Sequence, residues 1–109
     1  MAFDETLAER IREVMRAAPE VAERRMFGGL MFTVRGNMAC GPVRDLLIVR
    51  VGPDRYTEAL ARPGAAEMTF TGRPMRGFVQ LMARDLDDDA VLCEWVEMGI
   101  DYALALPPK

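Results

Sequence analysis

Histidine is absent from all 109 residues. That absence removes every mechanism that needs an imidazole: Ser–His and Cys–His nucleophile pairs, His-ligated zinc and a His general base. Cysteine is scarce too. Cys40 and Cys93 are the only two and form no CxxC pair, so no disulfide framework is expected. No apolar run approaches the roughly 18 residues of a membrane span. The N-terminus opens Met1-Ala2-Phe3-Asp4-Glu5-Thr6, without the basic start and apolar core of a secretory signal. A cytoplasmic protein without membrane contact is the expectation. No GxGxxG cofactor turn occurs, so a dinucleotide or S-adenosylmethionine site of that kind has nowhere to sit, and no cofactor is expected.

What is present describes an ordinary globular chain. Half of the residues are hydrophobic and 28% are charged, which places the chain well away from disorder. Its length suits one domain spanning 1–109, large enough for a core without staples. The net charge of −3 conceals a division. Residues 1–23 set three arginines against six acids, and residues 85–109 set one lysine against seven acids. Between them, residues 24–84 hold ten arginines against four acids.

Periodicity supplies the elements. Leu7, Ile11, Val14, Met15 and Ala18 recur at helical spacing, Thr6-x-x-Glu9 fits a capping box and Pro19 stops the run, so a helix is expected over 5–18. Branched and aromatic runs at 30–34, 37–43 and 46–51 read as strands. Gly36-Asn37 suits a type II′ hairpin, and Arg44-Asp45 marks a weaker turn. The third run is apolar at nearly every position, which places it centrally with both faces covered. Pro53 to Ala61 reads as a short helix with proline at its first position. Glu67–Phe70 and Gly77–Ala83 read as strands around a loop from Thr71 to Arg76. Asp87-Asp88-Asp89 caps a last helix with the stripe Leu92, Trp95, Val96, Gly99 and Tyr102. The order α-β(3)-α-β(2)-α predicts an α+β two-layer sandwich, with a five-stranded, mainly antiparallel sheet and its helices on one face.

Arg25-Met26-Phe27-Gly28-Gly29, the hairpin and apolar strand after it, Pro53, Pro63-Gly64-Ala65 and the Trp95 helix closing in Leu106-Pro107-Pro108-Lys109 resemble the TfoX/Sxy N-terminal domain family over almost the whole chain. The resemblance implies a fold of the secretion-chaperone-like type, and a kinship with regulators of natural competence. Those regulators carry a second, C-terminal domain; this sequence ends at Lys109, so a stand-alone domain is expected. The family brings no agreed catalytic residues, and the chain is expected not to be an enzyme.

Candidate sites are few. Gly28-Gly29 feeds a strand and not a helix N-terminus, so it reads as a bend launching the hairpin and not as a phosphate loop. Gly72-Arg73-Pro74-Met75-Arg76-Gly77 has the spacing of a Walker A opening, but Phe78-Val79 stands where Lys-Ser/Thr is required. Its two arginines still suit an anion clamp, and Gly72, Arg73, Arg76 and Gly77 are the first choice for any ligand. Glu94, Glu97 and Asp101 share one helix face and read as solvated acids. Cys40 reads as buried filler, and the methionines, spread over several elements, read as adaptable packing. The central arginines are expected to pair with the acidic helices. A DNA- or RNA-contacting surface is the less favoured alternative, since the protein is acidic overall. A protein partner and a homodimer are expected.

Overall fold

The computed structural model describes residues 3–69 and 72–109. Helix α1 spans Glu5–Met15. Four strands follow: β1 (Val21–Met26), β2 (Gly29–Val34), β3 (Asn37–Val43) and β4 (Leu46–Arg50). A short helix α2 (Tyr56–Leu60) leads to β5 (Ala66–Glu67) and β6 (Phe78–Met82), and a 3-10 turn at Ala83–Asp85 precedes α3 (Asp89–Ala105). The sheet runs β1-β2-β3-β4-β6-β5, with every pair antiparallel. The expected α+β class and antiparallel sheet hold, but the described residues form six strands instead of five.

The additional strand is β1. It carries Glu23, Arg24 and Arg25 and is exposed at its first five positions, so it has none of the apolar alternation that betrays a half-buried strand. Edge position explains this composition, since charged side chains discourage pairing with other chains. The Arg12 guanidinium fastens β1 to α1 through two 2.8 Å bonds to the Glu23 carboxylate. Those bonds hold the Glu23 carboxyl below its usual range, with burial opposing them.

The turns also differ from expectation. Val34 and Asn37 are paired, so the second hairpin turns on Arg35-Gly36, both at positive φ (53° and 83°), rather than on Gly36-Asn37 as a type II′ turn. Two consecutive positive φ values match the right-handed twist of the flanking strands. Asn37 is freed for another task. Its side-chain amide donates to the Ala103 carbonyl in the last turn of α3 and to the Pro107 carbonyl just past the helix, tying the hairpin to the helix end. At the start of α1 the cap is Asp4, which accepts from the Leu7 N–H, in place of the expected Thr6 box. Asp88 caps α3 by accepting from Ala90. The expected strand end at Phe70 and loop start at Thr71 lie outside the described residues.

All three helices contribute to the core on one face of the sheet. Leu7, Ile11 and Met15 of α1, Ala59 of α2 and Leu92, Trp95, Val96 and Ala103 of α3 join Phe32, Val34, Leu47, Val49 and Val79. Strand β4 is buried on both faces, as its unbroken apolar run implies. Helix α3 lies so near β3 that a Cβ on Gly99 would sit 2.4 Å from the Ala39 carbonyl oxygen.

Two outcomes test this frame. Helix propensity favours Gly99→Ala by about 1 kcal/mol, but the backbone contact dominates and the variant is expected to lose roughly 1–3 kcal/mol in urea unfolding. Replacing Glu23 by Gln is expected to cost about 0.5 kcal/mol at neutral pH, as for a partly exposed pair. A carboxyl with a lowered folded pKa stabilises above its unfolded pKa and loses that contribution in acid. The deficit therefore narrows as pH falls below about 4, where the wild-type carboxylate also becomes neutral.

Candidate functional site

Among the described residues, no helix lies on the opposite face of the sheet. Its side chains follow from register. Arg24 lies opposite Met31 and Thr33 opposite Met38. Val43 faces Leu46. Arg50 faces Phe78, Ile48 faces Gln80 and Leu46 faces Met82. Met31, Val43, Leu46, Ile48 and Met68 are buried there as a second, smaller cluster. Above them stand Met26, Phe27, Met38, Met75, Phe78 and Met82, all half-buried. Six methionines that are scattered in sequence are thus gathered on one surface, while Met15 and Met98 belong to the helical core.

The loop singled out from sequence borders this surface. Gly72 and Gly77 take φ of 83° and 92°, and each serves a turn. The Gly72 N–H donates to the Thr69 carbonyl, and the Gly77 carbonyl accepts from Val51 and Gly52. Met75 between them packs on the methionine cluster. Arg73 and Arg76 are exposed and make no ion pair among the described residues. The loop therefore places its apolar member on the sheet and leaves its two arginines at the rim.

The expected pairing of central arginines with acidic helices is partial. Arg62 pairs with Glu94, Arg55 reaches Asp101 at 3.9 Å, and Arg35 meets Glu20 at 3.5 Å. Arg24, Arg25, Arg50, Arg73, Arg76 and Arg84 find no acid among the described residues. Arg50 instead stacks on Phe78 and Tyr102, 5.7 and 5.2 Å from their ring centres. Two of the three α3 carboxylates considered for a cation are those engaged by Arg62 and Arg55. Among the described residues no three Cys, Asp or Glu side chains gather as a metal site.

Elsewhere, a cleft of about 480 Å³ is lined by Arg62, Pro63, Gly64, Asp85, Val91 and Trp95. The Arg62 guanidinium covers the Trp95 ring at 4.8 Å. The Tyr56 hydroxyl is buried without a hydrogen-bond partner. Its pKa is raised by that burial and by Glu67, and Arg76 opposes the shift. Cys40 is buried, as expected for filler, and burial pushes its thiol up to about 12. Cys93 is half-buried, with a pKa raised by burial and then by Glu97 and Glu94. Neither has the depressed pKa of a reactive thiol.

Residues 13–103 match the model of the TfoX N-terminal domain. The chain belongs to that family. No curated protein and no solved structure matches the chain. Within this TfoX N-terminal domain the Arg25–Gly29 motif is the hairpin turn joining β1 to β2, with Phe27 and Gly28 at φ of 57° and 74°. The bend expected from the sequence is present, but it joins β1 to β2 instead of launching the hairpin of β2 and β3. Its aromatic member packs on the methionine cluster, so the motif also builds the helix-free face. No helix among the described residues is long and apolar enough to cross a membrane.

The thiols provide the test. In the folded protein, Cys93 is expected to alkylate more slowly than a free thiol at pH 8, and Cys40 only after denaturation, as read by mass spectrometry. A raised thiol pKa stabilises the fold below the unfolded value of 9.0, and this is lost as pH climbs towards 12. Cys40→Ala should remove that part of the alkaline decline.

Proposed function

We propose that this TfoX N-terminal domain is a small cytoplasmic regulatory module, kin to competence regulators, that works by protein–protein contact and not by catalysis. The observation that carries the reading is the sheet face without a helix. Two-layer sandwiches bury one face and leave the other to solvent, and a solvated face is normally polar. Here it presents half-buried methionine and phenylalanine side chains, the residue types of adaptable binding surfaces. The antiparallel sheet with helices on one side supports the secretion-chaperone-like assignment of the fold, with β1 as an extra edge strand.

A homodimer belongs to this proposal, and two other readings compete with it. The outer edge of β1 is unpaired among the described residues and open to a second copy, although Glu23, Arg24 and Arg25 on it work against such pairing. Contact with nucleic acid is the second reading, favoured by the arginines that find no acid, and opposed by the protein's acidic balance. Ligand capture at Arg73 and Arg76 is the weaker enzymatic or anion-binding form, since both side chains stand in open solvent.

Capture from native cells with the tagged protein, followed by sedimentation of the purified pair, is expected to return a defined complex. A thermal-shift panel of nucleotides, S-adenosylmethionine and metal ions is expected to move Tm by less than a degree. A clear stabilisation by one of them would replace this reading with a small-molecule site, and salt-sensitive retention on mixed-sequence DNA or RNA would replace it with nucleic-acid contact.

A further inference from the structure

We infer that the occupant of the helix-free face is an acidic amphipathic helix of a partner protein. This rests on the partner-binding reading and specifies its chemistry. The argument for an apolar component is the half-buried Met38, Met75, Phe78 and Met82, which no helix among the described residues covers. The argument for an acidic component is charge. Strand positions on this face include Arg24 and no Asp or Glu, Arg50 stands at its end with its guanidinium against Phe78 and Tyr102 of α3, and Arg73 and Arg76 flank Met75 at the rim. None of these four arginines has an acid of its own among the described residues. The acids of the chain concentrate in α1, α3 and the segments next to them, on the other side of the sheet.

Size agrees. The molecule extends about 30 × 28 × 27 Å, so a helix of roughly 18 residues, rising 1.5 Å per residue, crosses one face. Unbranched methionine side chains adjust to the ridges of such a helix. A second copy is the poorer occupant. Two of these faces packed about a two-fold axis bring Arg24 and Arg76 of both copies together with no acid between them, a like-charge arrangement that costs binding energy. Nucleic acid would answer the arginines and leave the methionine and phenylalanine surface without a counterpart.

The test uses methyl-13C methionine and two 18-residue peptides that share a Leu/Phe face, one with Glu and Asp on its other face and one with Lys. The acidic peptide is expected to shift the Met26, Met38, Met75 and Met82 methyl signals and leave Met15 and Met98 in place. Added salt weakens its binding, and the folded double variant R24E/R76E binds it roughly five- to tenfold less well, as for two rim charges. Equal binding of both peptides, shifts confined to Met15 and Met98, or no shift overturns the inference. So do displacement of the signals by a mixed-sequence oligonucleotide instead, and a wild-type dimer in which these methyls are already covered by the second copy. If R24E/R76E still captures the same cellular partner at full strength, the partner-binding reading stands and this surface assignment falls.

Discussion

The architecture depends on one close approach, the seating of α3 on β3 at Gly99. With the Ala39 carbonyl oxygen 2.4 Å from where a Cβ would stand, only glycine lets the helix descend to this depth. Seated there, α3 brings Leu92, Trp95, Val96 and Ala103 into the core, and α1 packs beside it over β3. The same end of the sheet is secured by Asn37, whose amide donates to the Ala103 carbonyl in the last turn of α3 and to the Pro107 carbonyl just beyond it. The Lys109 N–H donates to the Arg35 carbonyl and ties the C-terminal residues to the same hairpin.

That seating determines how the two faces differ. The helices take one side and bury it with Leu, Ile, Val and Trp, residues with well-defined shapes. The other side receives only what strands and turns can offer: Met26 and Phe27 from the first hairpin turn, Met75 from the β5–β6 loop, and alternate residues of the sheet. A thin layer of this kind covers Met31, Ile48 and Met68 completely but leaves its own outer atoms half in water. Flexible side chains tolerate that position and also suit recognition of a partner. Arg24, Arg73 and Arg76 find no acid among the described residues, because the acids lie mostly in α1, α3 and their flanks, beyond the sheet.

Local patterns were legible where one physical requirement dominated. The apolar run of β4 announced a central strand, the Asp87–Asp89 cluster announced a helix cap, and the glycine-rich motif announced a turn. β1 was hidden because an edge strand needs no apolar alternation and its charges protect the open edge. Asn37 looked like a turn residue, since nothing nearby reveals that a helix end some 66 residues on requires its amide. The methionines looked dispersed because their shared face exists only once six strands are in register. For the Gly72–Gly77 loop, the spacing was visible, but the contact of Met75 with the sheet was not.

By itself the sequence determined the class of the fold, the antiparallel hairpin order, membership of the TfoX N-terminal domain family and the absence of any imidazole chemistry. These depend on residue type and on spacing within a few positions along the chain. The tertiary structure alone decided which arginines find acids, which side of the sheet is left without a helix, and that methionines from five strands or turns form one surface. Those outcomes depend on register and on the depth at which α3 settles over Ala39, and both are set by contacts between residues far apart in the chain.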